Sequence, residues 1–297
     1  MGLLAVDIGN TSTTLGLFVN ERSENERLED ERSEDERSSG ESRLAKRFDI
    51  PTRTLTHRAL TRETLNAPLT GVTPPDMIAI ASVVPWASDE LIVVLHEIFA
   101  SATMLVVTSG SVPIEMGYPH SEELGTDRLL GALAAYKLWG ERERRPCIVV
   151  DLGTATTYDC ITSDGVFLGG AIAPGLELGA DALTRRAAQL PAIELTFPTS
   201  IIGRTTVESI QSGILYGGLS QLEGFVRRLG AFAFPNEEPI VIATGGLSRL
   251  FEGRTNIVAH FDPDLVLEGI RIAAELAPVE RQAEAVPEEA MSHQEIN

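Results

Sequence analysis

The feature that most constrains this chain is a short pattern spelled twice. Residues 5–18 read AVDIGNTSTTLGLF and residues 149–158 read VVDLGTATTY. Each time an apolar strand ends near an aspartate (Asp7, Asp151), a glycine follows two positions later (Gly9, Gly153), and hydroxyl residues lead into a second strand. This is the pattern of a tight β-hairpin with an acid beside its tip. An ordinary β-turn accounts for one such stretch, since Asp, Gly and Asn are common turn residues. Two stretches, one in each half of the chain, predict a repeated unit with the same chemistry at both tips.

Phosphate binding is the natural use of such a tip. A glycine lets backbone amides approach an anion with no Cβ in the way. Threonine hydroxyls add donors, and the aspartate can hold a cation or its water against the phosphate charge. The other common solution is missing: there is no GxxxxGK[ST], and neither lysine of the chain, Lys46 or Lys137, follows a glycine loop. No HxxxH or Cys/His cluster supports zinc. His57, His96, His120, His260 and His293 are scattered and read as surface or packing residues. Cys147 and Cys160 read as buried packing residues of a reducing compartment.

The rest of the pattern alternates. Strands are expected at 3–8, 13–19, 44–50, 77–84 and 103–107, with helices near 62–67 and 87–100. The second half restarts with a helix at 127–139 and strands at 147–152, 155–162 and 166–172. Helices at 176–189 and 206–230, a strand at 240–244, a helix near 247–252, a strand at 257–261 and a helix at 264–276 follow. That order argues α/β layers in two similar halves with a cleft between them. At 297 residues the chain has room for two cores. The expected domains are 1–118 and 119–277. Residues 21–40 read ERSENERLEDERSEDERSSG, a near-repeat with one apolar residue, Leu28, which predicts a solvated insert (21–43) lengthening a hairpin. The polar tail 278–297 is expected to be disordered.

A net charge of −19 argues against nucleic acid and against anionic membrane surfaces. No apolar run approaches the ~18 residues of a membrane span. The N-terminus enters a strand with no basic n-region, so no signal peptide is expected and the cytoplasm is the expected compartment. With two lysines among 24 basic residues, the surface chemistry points to a salt-rich cytoplasm or a GC-rich genome.

The ordered set DIGNT (7–11), GTDR (125–128), DLGTATTYD (151–159), GGAIAPG (169–175), SGILYGG (212–218) and ATGG (243–246) resembles type III pantothenate kinase, of the actin/hexokinase-like ATPase superfamily. The resemblance spans nearly all of residues 2–276. It departs in the insert and in the charged ERERR turn before residue 147. It implies two actin/ribonuclease-H-like domains and phosphorylation of the primary hydroxyl of pantothenate by ATP, the first step of coenzyme A biosynthesis. It also implies a homodimer, with the pantothenate site near the interface.

The implied roles fall on matching residues. Asp7, Ile8, Gly9, Asn10, Thr11, Ser12, Thr13 and Thr14 would form the first ATP-phosphate loop, Asp7 lying near Mg²⁺. Thr154 would be another ATP contact, and Gly245 and Gly246 the turn passing the adenosine. Asp127 would be the catalytic base. Tyr118, Gly125, Thr126, Asp127, Arg128 and Thr206 would line the pantothenate site, and Asp151 would ligate a monovalent cation, K⁺ or NH₄⁺.

The residues themselves are compatible with these roles. GTDR opens a helix with an apolar face of Leu129, Leu130, Leu133 and Ala134, which sets Asp127 at a helix start, where a plain N-cap is the simpler reading. Arg128 can bind anionic oxygen with two prongs, and a surface ion pair is the weaker reading beside an acid in the motif. Asp151 ends an apolar strand with no lysine near it in sequence, a setting that favours a bound cation. Two other functions fit the same fold: a non-catalytic transcription accessory factor and a filament-forming actin-like ATPase. The intact Asp7, Asp127 and Asp151 and the chain length favour the kinase.

Overall fold

Long apolar runs such as LLAVDI and MIAIAS bury both faces of a strand and so belong in the middle of a sheet covered by helices. The computed structural model, which describes residues 2–20, 42–55, 65, 69, 72–119, 123–187 and 189–278, places both runs there. The chain divides into two compact units. The first comprises the described residues of Met1–Pro113, Gly125–Asp127 and Leu267–Asn297, and the second comprises those of Ile114–Leu124 and Arg128–Val266.

The first unit holds β1 (Leu3–Ile8), β2 (Ser12–Asn20), β3 (Ser42–Pro51), β4 (Met77–Ser82) and β5 (Thr103–Val107). Their order is β3-β2-β1-β4-β5. β1 and β2 pair antiparallel, as do β2 and β3, whereas β4 and β5 continue the sheet parallel to β1. Helix α1 (Pro85–Ile98) starts on a proline, whose fixed φ suits a first helical turn. Its Leu91 and Leu95 close a core with Leu4, Val6, Ile8, Ile78 and Ile80.

The second unit carries β6 (Glu115–Met116), β7 (Cys147–Leu152), β8 (Ala155–Ile161), β9 (Val166–Pro174), β10 (Ile240–Thr244) and β11 (His260–Phe261), ordered β11-β10-β7-β8-β9-β6. Without β6 this is the plan of the first sheet: a central first strand, two antiparallel strands on one side and two parallel ones on the other. The repeat read from the two hairpins is therefore a repeat of whole sheets, and the α/β class with two actin/ribonuclease-H-like halves holds. β7 and β1 share one burial pattern, in which the aspartate is the only residue not fully buried.

Among the described residues five helices reach ten residues or more: α1, α2 (Thr126–Ala135), α3 (Leu176–Arg186), α4 (Thr206–Ala233) and α5 (Leu265–Leu276). The expected one-sided face of α2 is an underestimate, since Leu129 to Ala135 are all buried. Beyond Ala135 the helix widens into a π turn, Tyr136–Gly140, and ends where Arg144 takes a left-handed φ of 52°. α4 turns Leu215, Leu222 and Val226 to the core, and Phe225 stacks on Tyr158 at 4.8 Å. Core packing thus explains its apolar stripe.

The expected helix near 247–252 is a 3-10 turn, Ser248–Phe251, and the strand at 257–261 shrinks to two residues. Of the helix expected near 62–67 only Leu65, helical and buried, is described, and most of the insert and the tail after 278 lie outside the described residues. Cys147 and Cys160 are buried free thiols. They sit on adjacent strands but in consecutive register pairs, so they project to opposite faces of the sheet. No helix among the described residues is long and apolar enough to cross a membrane.

Candidate active site

The first hairpin closes with the Gly9 N–H donating to the Ser12 carbonyl at 3.0 Å, beyond the pair Ile8–Thr13. Asn10, Thr11 and Ser12 are exposed at its tip, and Asp7 is half-buried at the end of β1. The other side chains of the loop serve the fold. Ile8 and Thr13 are fully buried, and the Thr13 hydroxyl lies 3.1 Å from that of Thr52. The Thr14 hydroxyl donates to Asp49 at 2.8 Å. Burial raises the Asp49 pKa, but hydrogen bonds from Arg47 and Thr14 outweigh it and hold that carboxyl below its usual value. Of the hydroxyls expected to face an anion, those of Thr13 and Thr14 are thus engaged in the sheet.

Asp127 joins the same region of the first unit. The Val83 N–H, just past β4, donates to the Ile8 carbonyl at 3.1 Å. A Cβ added to Gly125 would lie 3.7 Å from the Val83 side chain and would overlap a carboxylate oxygen of Asp127. The Asp127 carboxylate therefore folds back over Gly125, near the carboxyl ends of β1 and β4, where open α/β sheets bind ligands. It is the second residue of α2 and so does not take the N-cap position. Thr126, only 6% exposed, is a packing residue at the helix start.

The second hairpin is one residue shorter. Gly153 N–H donates to the Ala155 carbonyl at 3.1 Å, beyond the pair Leu152–Thr156. The Asp151 carboxylate lies between two glycines: a Cβ on Gly153 would stand 3.5 Å from its Oδ1, and one on Gly245 would overlap it. Gly245 has φ +87°; its turn folds against the hairpin through Leu247 N–H to Leu152 O at 3.1 Å and is closed on itself by Ser248 Oγ donating to Gly245 O at 2.7 Å. Thr154 is exposed at the tip. Among the described residues no cluster of three His, Cys, Asp or Glu side chains is placed to hold a metal ion. A cation here would rest on single carboxylates with other oxygen donors, which suits hard ions such as Mg²⁺ and K⁺.

Arg128 does not stand as a lone surface cation. Its Nε donates to the two oxygens of Asp159 at 3.0 and 3.3 Å, and its guanidinium lies 5.9 Å from the Phe167 ring. Tyr118 packs on Gly169 (φ +96°), where a Cβ would come within 2.9 Å of the ring. The structure thus brings Tyr118 and Arg128 to neighbouring positions along β9. Thr206 stands on another element, exposed in the first turn of α4, whose capping box is Thr205 and Glu208.

Asp159 and Thr52 escaped the sequence reading. An aspartate in the middle of the strand ATTYDCI, against β propensity, was the available signal for the first. Thr52 gave none, because it reads as an ordinary turn residue after β3.

Comparison with known proteins identifies a family. The sequence model of the type III pantothenate kinase family matches residues 3–228. Type III pantothenate kinase 1 of Symbiobacterium thermophilum is 40% identical over 288 residues, covering 95% of this chain and 100% of the relative. The type III pantothenate kinase of Moorella thermoacetica is 35% identical over 274 residues, covering 92% and 98%. Among solved structures, a conserved Campylobacter jejuni protein assigned to the Baf family of transcriptional activators aligns with a TM-score of 0.54 at 16% identity, covering 92% of this chain and 97% of that one. That likeness is one of fold alone.

Proposed function

This chain belongs to the type III pantothenate kinase family, and we propose that its two hairpins, Asp127 and the Tyr118–Arg128 group divide between them the transfer of the γ-phosphoryl group of ATP to the primary hydroxyl of pantothenate. The observation that carries this reading is the placement of Asp127 near the carboxyl ends of β1 and β4, the end from which the Gly9–Ser12 tip projects.

The amides of Asn10 and Ser12 receive phosphate oxygens, and Thr154 with Gly245 and Gly246 serves the nucleotide. Asp127 accepts a hydrogen bond from the pantothenate hydroxyl, aims it at the γ-phosphorus and takes its proton late. An ordinary carboxylate suffices, because a loose transition state asks chiefly for position and charge stabilisation. Tyr118, Arg128 and Thr206 bind pantothenate, Arg128 in an orientation set by Asp159. Mg²⁺, when bound with ATP, would supply neutralisation of the phosphate charge, and Asp7 would hold it. Asp151 would hold K⁺ or NH₄⁺, its carboxylate occupying the space that the missing Cβ of Gly245 leaves.

The second unit exposes Ile172, Leu178, Ile201 and Ile202, with Ile202 at 76%. This apolar surface supports a homodimer. The free buried cysteines support a cytoplasmic location. A transcription accessory role is not favoured, since its support is a likeness of fold at 16% identity. The test is incubation of the pure protein with Mg·ATP and pantothenate beside a panel of other alcohols and sugars. ADP and 4′-phosphopantothenate should appear together, and phosphorylation of another acceptor in preference to pantothenate would overturn the reading.

A further inference from the structure

Thr52 follows the end of β3 and is 1% exposed, yet it is polar and makes three contacts with the first hairpin. Its hydroxyl donates to the Gly9 carbonyl at 2.6 Å and lies 3.1 Å from the Thr13 hydroxyl, and its N–H donates to the Thr11 carbonyl at 2.9 Å. Two carbonyls of the tip are thereby turned toward Thr52. A trans peptide is planar, with its N–H opposite its C=O, and no peptide here is cis. Fixing the carbonyls of Gly9 and Thr11 toward Thr52 therefore fixes the N–H groups of Asn10 and Ser12 away from it.

The second hairpin shows what the hydroxyl replaces. Pro51 pairs with Ser12, and Pro174 pairs with Ala155, so Thr52 and Gly175 hold equivalent places after the third strand of each sheet. Gly175 N–H donates to the Thr154 carbonyl at 3.2 Å, as Thr52 does to Thr11. A Cβ on Gly175, however, would run into the carbonyls of Gly153 and Thr154. The shorter tip lies directly against a bare Cα. The longer tip stands off, and the Thr52 side chain bridges the gap.

We propose that Thr52 is a positioning residue for ATP: its buried hydroxyl sets the tip of the first hairpin so that the Asn10 and Ser12 amides face the phosphates. The proposal rests on the reading that the Asn10 and Ser12 amides of this tip receive those phosphates. Thr52→Val removes the hydroxyl and keeps the shape, Thr52→Ser keeps the hydroxyl, and Asn10→Pro removes one outward N–H directly. Binding of ATP and of adenosine, which has no phosphate, is measured for each by calorimetry, with KM for ATP and for pantothenate.

Thr52→Val should weaken ATP binding about tenfold, the scale of one charge-assisted hydrogen bond. Adenosine affinity and the pantothenate KM should stay the same, and Thr52→Ser should bind ATP as the wild type does. Thr52→Ala replaces valine where valine does not fold, its difference from serine isolating the hydroxyl. If Asn10→Pro weakens ATP while Thr52→Val and Thr52→Ala do not, the role of Thr52 is wrong and the loop assignment stands. If all of them bind ATP normally, the loop assignment itself fails. An equal loss for ATP and adenosine would show a general structural effect and overturn the proposal.

Discussion

Arg128 and Asp159 form a forked ion pair, 31 positions apart in sequence, that ties the first turn of α2 to the middle of β8. Besides the two Nε contacts, Nη2 reaches Oδ1 at 2.5 Å, and Thr157 Oγ1 donates to Oδ2 at 3.3 Å. Asp159 is 1% exposed and Arg128 14%. Removing one partner of such a pair leaves the other charge buried, at a cost of about 3–5 kcal/mol. Asp159→Asn should therefore lower unfolding stability in urea by about 3 kcal/mol and raise the KM for pantothenate more than that for ATP. The double variant Asp159→Leu with Arg128→Met should lose less than the sum of its single variants. Additive losses would mean that the two side chains are not coupled.

Asp127→Asn should abolish phosphorylation and leave ATP binding intact. The amide keeps the size of the side chain folded over Gly125 but cannot take the hydroxyl proton. A variant that keeps more than about a tenth of wild-type kcat, a loss under ~1.4 kcal/mol, removes Asp127 from the role of base. Equilibrium binding of ATP alongside the turnover assay separates this from a loss of nucleotide affinity.

Much of this arrangement was legible in the residues. Continuous apolar runs ended by Asp-x-Gly marked β1 and β7, and the near-identity of the two hairpins announced the repeated sheet. β6 was not legible, because Glu115 and Met116 become a strand only by pairing with Val166 and Phe167. Nor was the use of individual hydroxyls. Thr11, Thr13 and Thr14 look alike in sequence, but Thr13 meets Thr52 and Thr14 meets Asp49 across strand pairs that local periodicity does not specify. Partners brought in from 31 or 43 positions away are tertiary facts.

Both thiols should be inert in the native protein. Burial pushes Cys147 and Cys160 each up to about 12. The thiolate is the reactive form, so at pH 8 a thiol reagent should label neither residue until denaturant is added. The sign of the linkage follows. A thiol that stays protonated when folded and ionises near pH 9 when unfolded contributes stability fully below pH 9, and this stability is lost as pH rises from 9 toward 12. Rapid native labelling at pH 8 would place these thiols at the surface instead.

Ile202, 76% exposed, and Ile201, 64%, lie on a segment held in place by Ser212 Oγ donating to the Ile201 carbonyl. A homodimer interface would cover such an exposed apolar pair. Sedimentation at micromolar concentration should give a dimer, and Ile202→Asp should shift it toward monomer with the far-UV spectrum unchanged. A wild type that sediments only as a monomer rejects the homodimer.

The last prediction concerns the monovalent cation and Gly245. At φ +87° a residue with a Cβ is strained, and here the Cβ would also overlap the Asp151 carboxylate. Gly245→Ala must therefore displace the carboxylate, the turn, or both, while leaving Asp127 and the first hairpin unaltered in sequence. If Asp151 holds K⁺ or NH₄⁺, wild-type activity should fall sharply in a buffer balanced with a bulky organic cation and return on adding K⁺. Asp151→Ala should show no such response. Gly245→Ala should need more K⁺ for half-activation, because the ligand remains but is moved, and that shift in concentration separates a displaced ligand from a missing one. A wild type equally active without K⁺ or NH₄⁺ would release Asp151 from the cation role. Its carboxylate, 3.5 Å from where a Gly153 Cβ would be, would then act as an anchor of the second phosphate hairpin, the counterpart of Asp7 in the first.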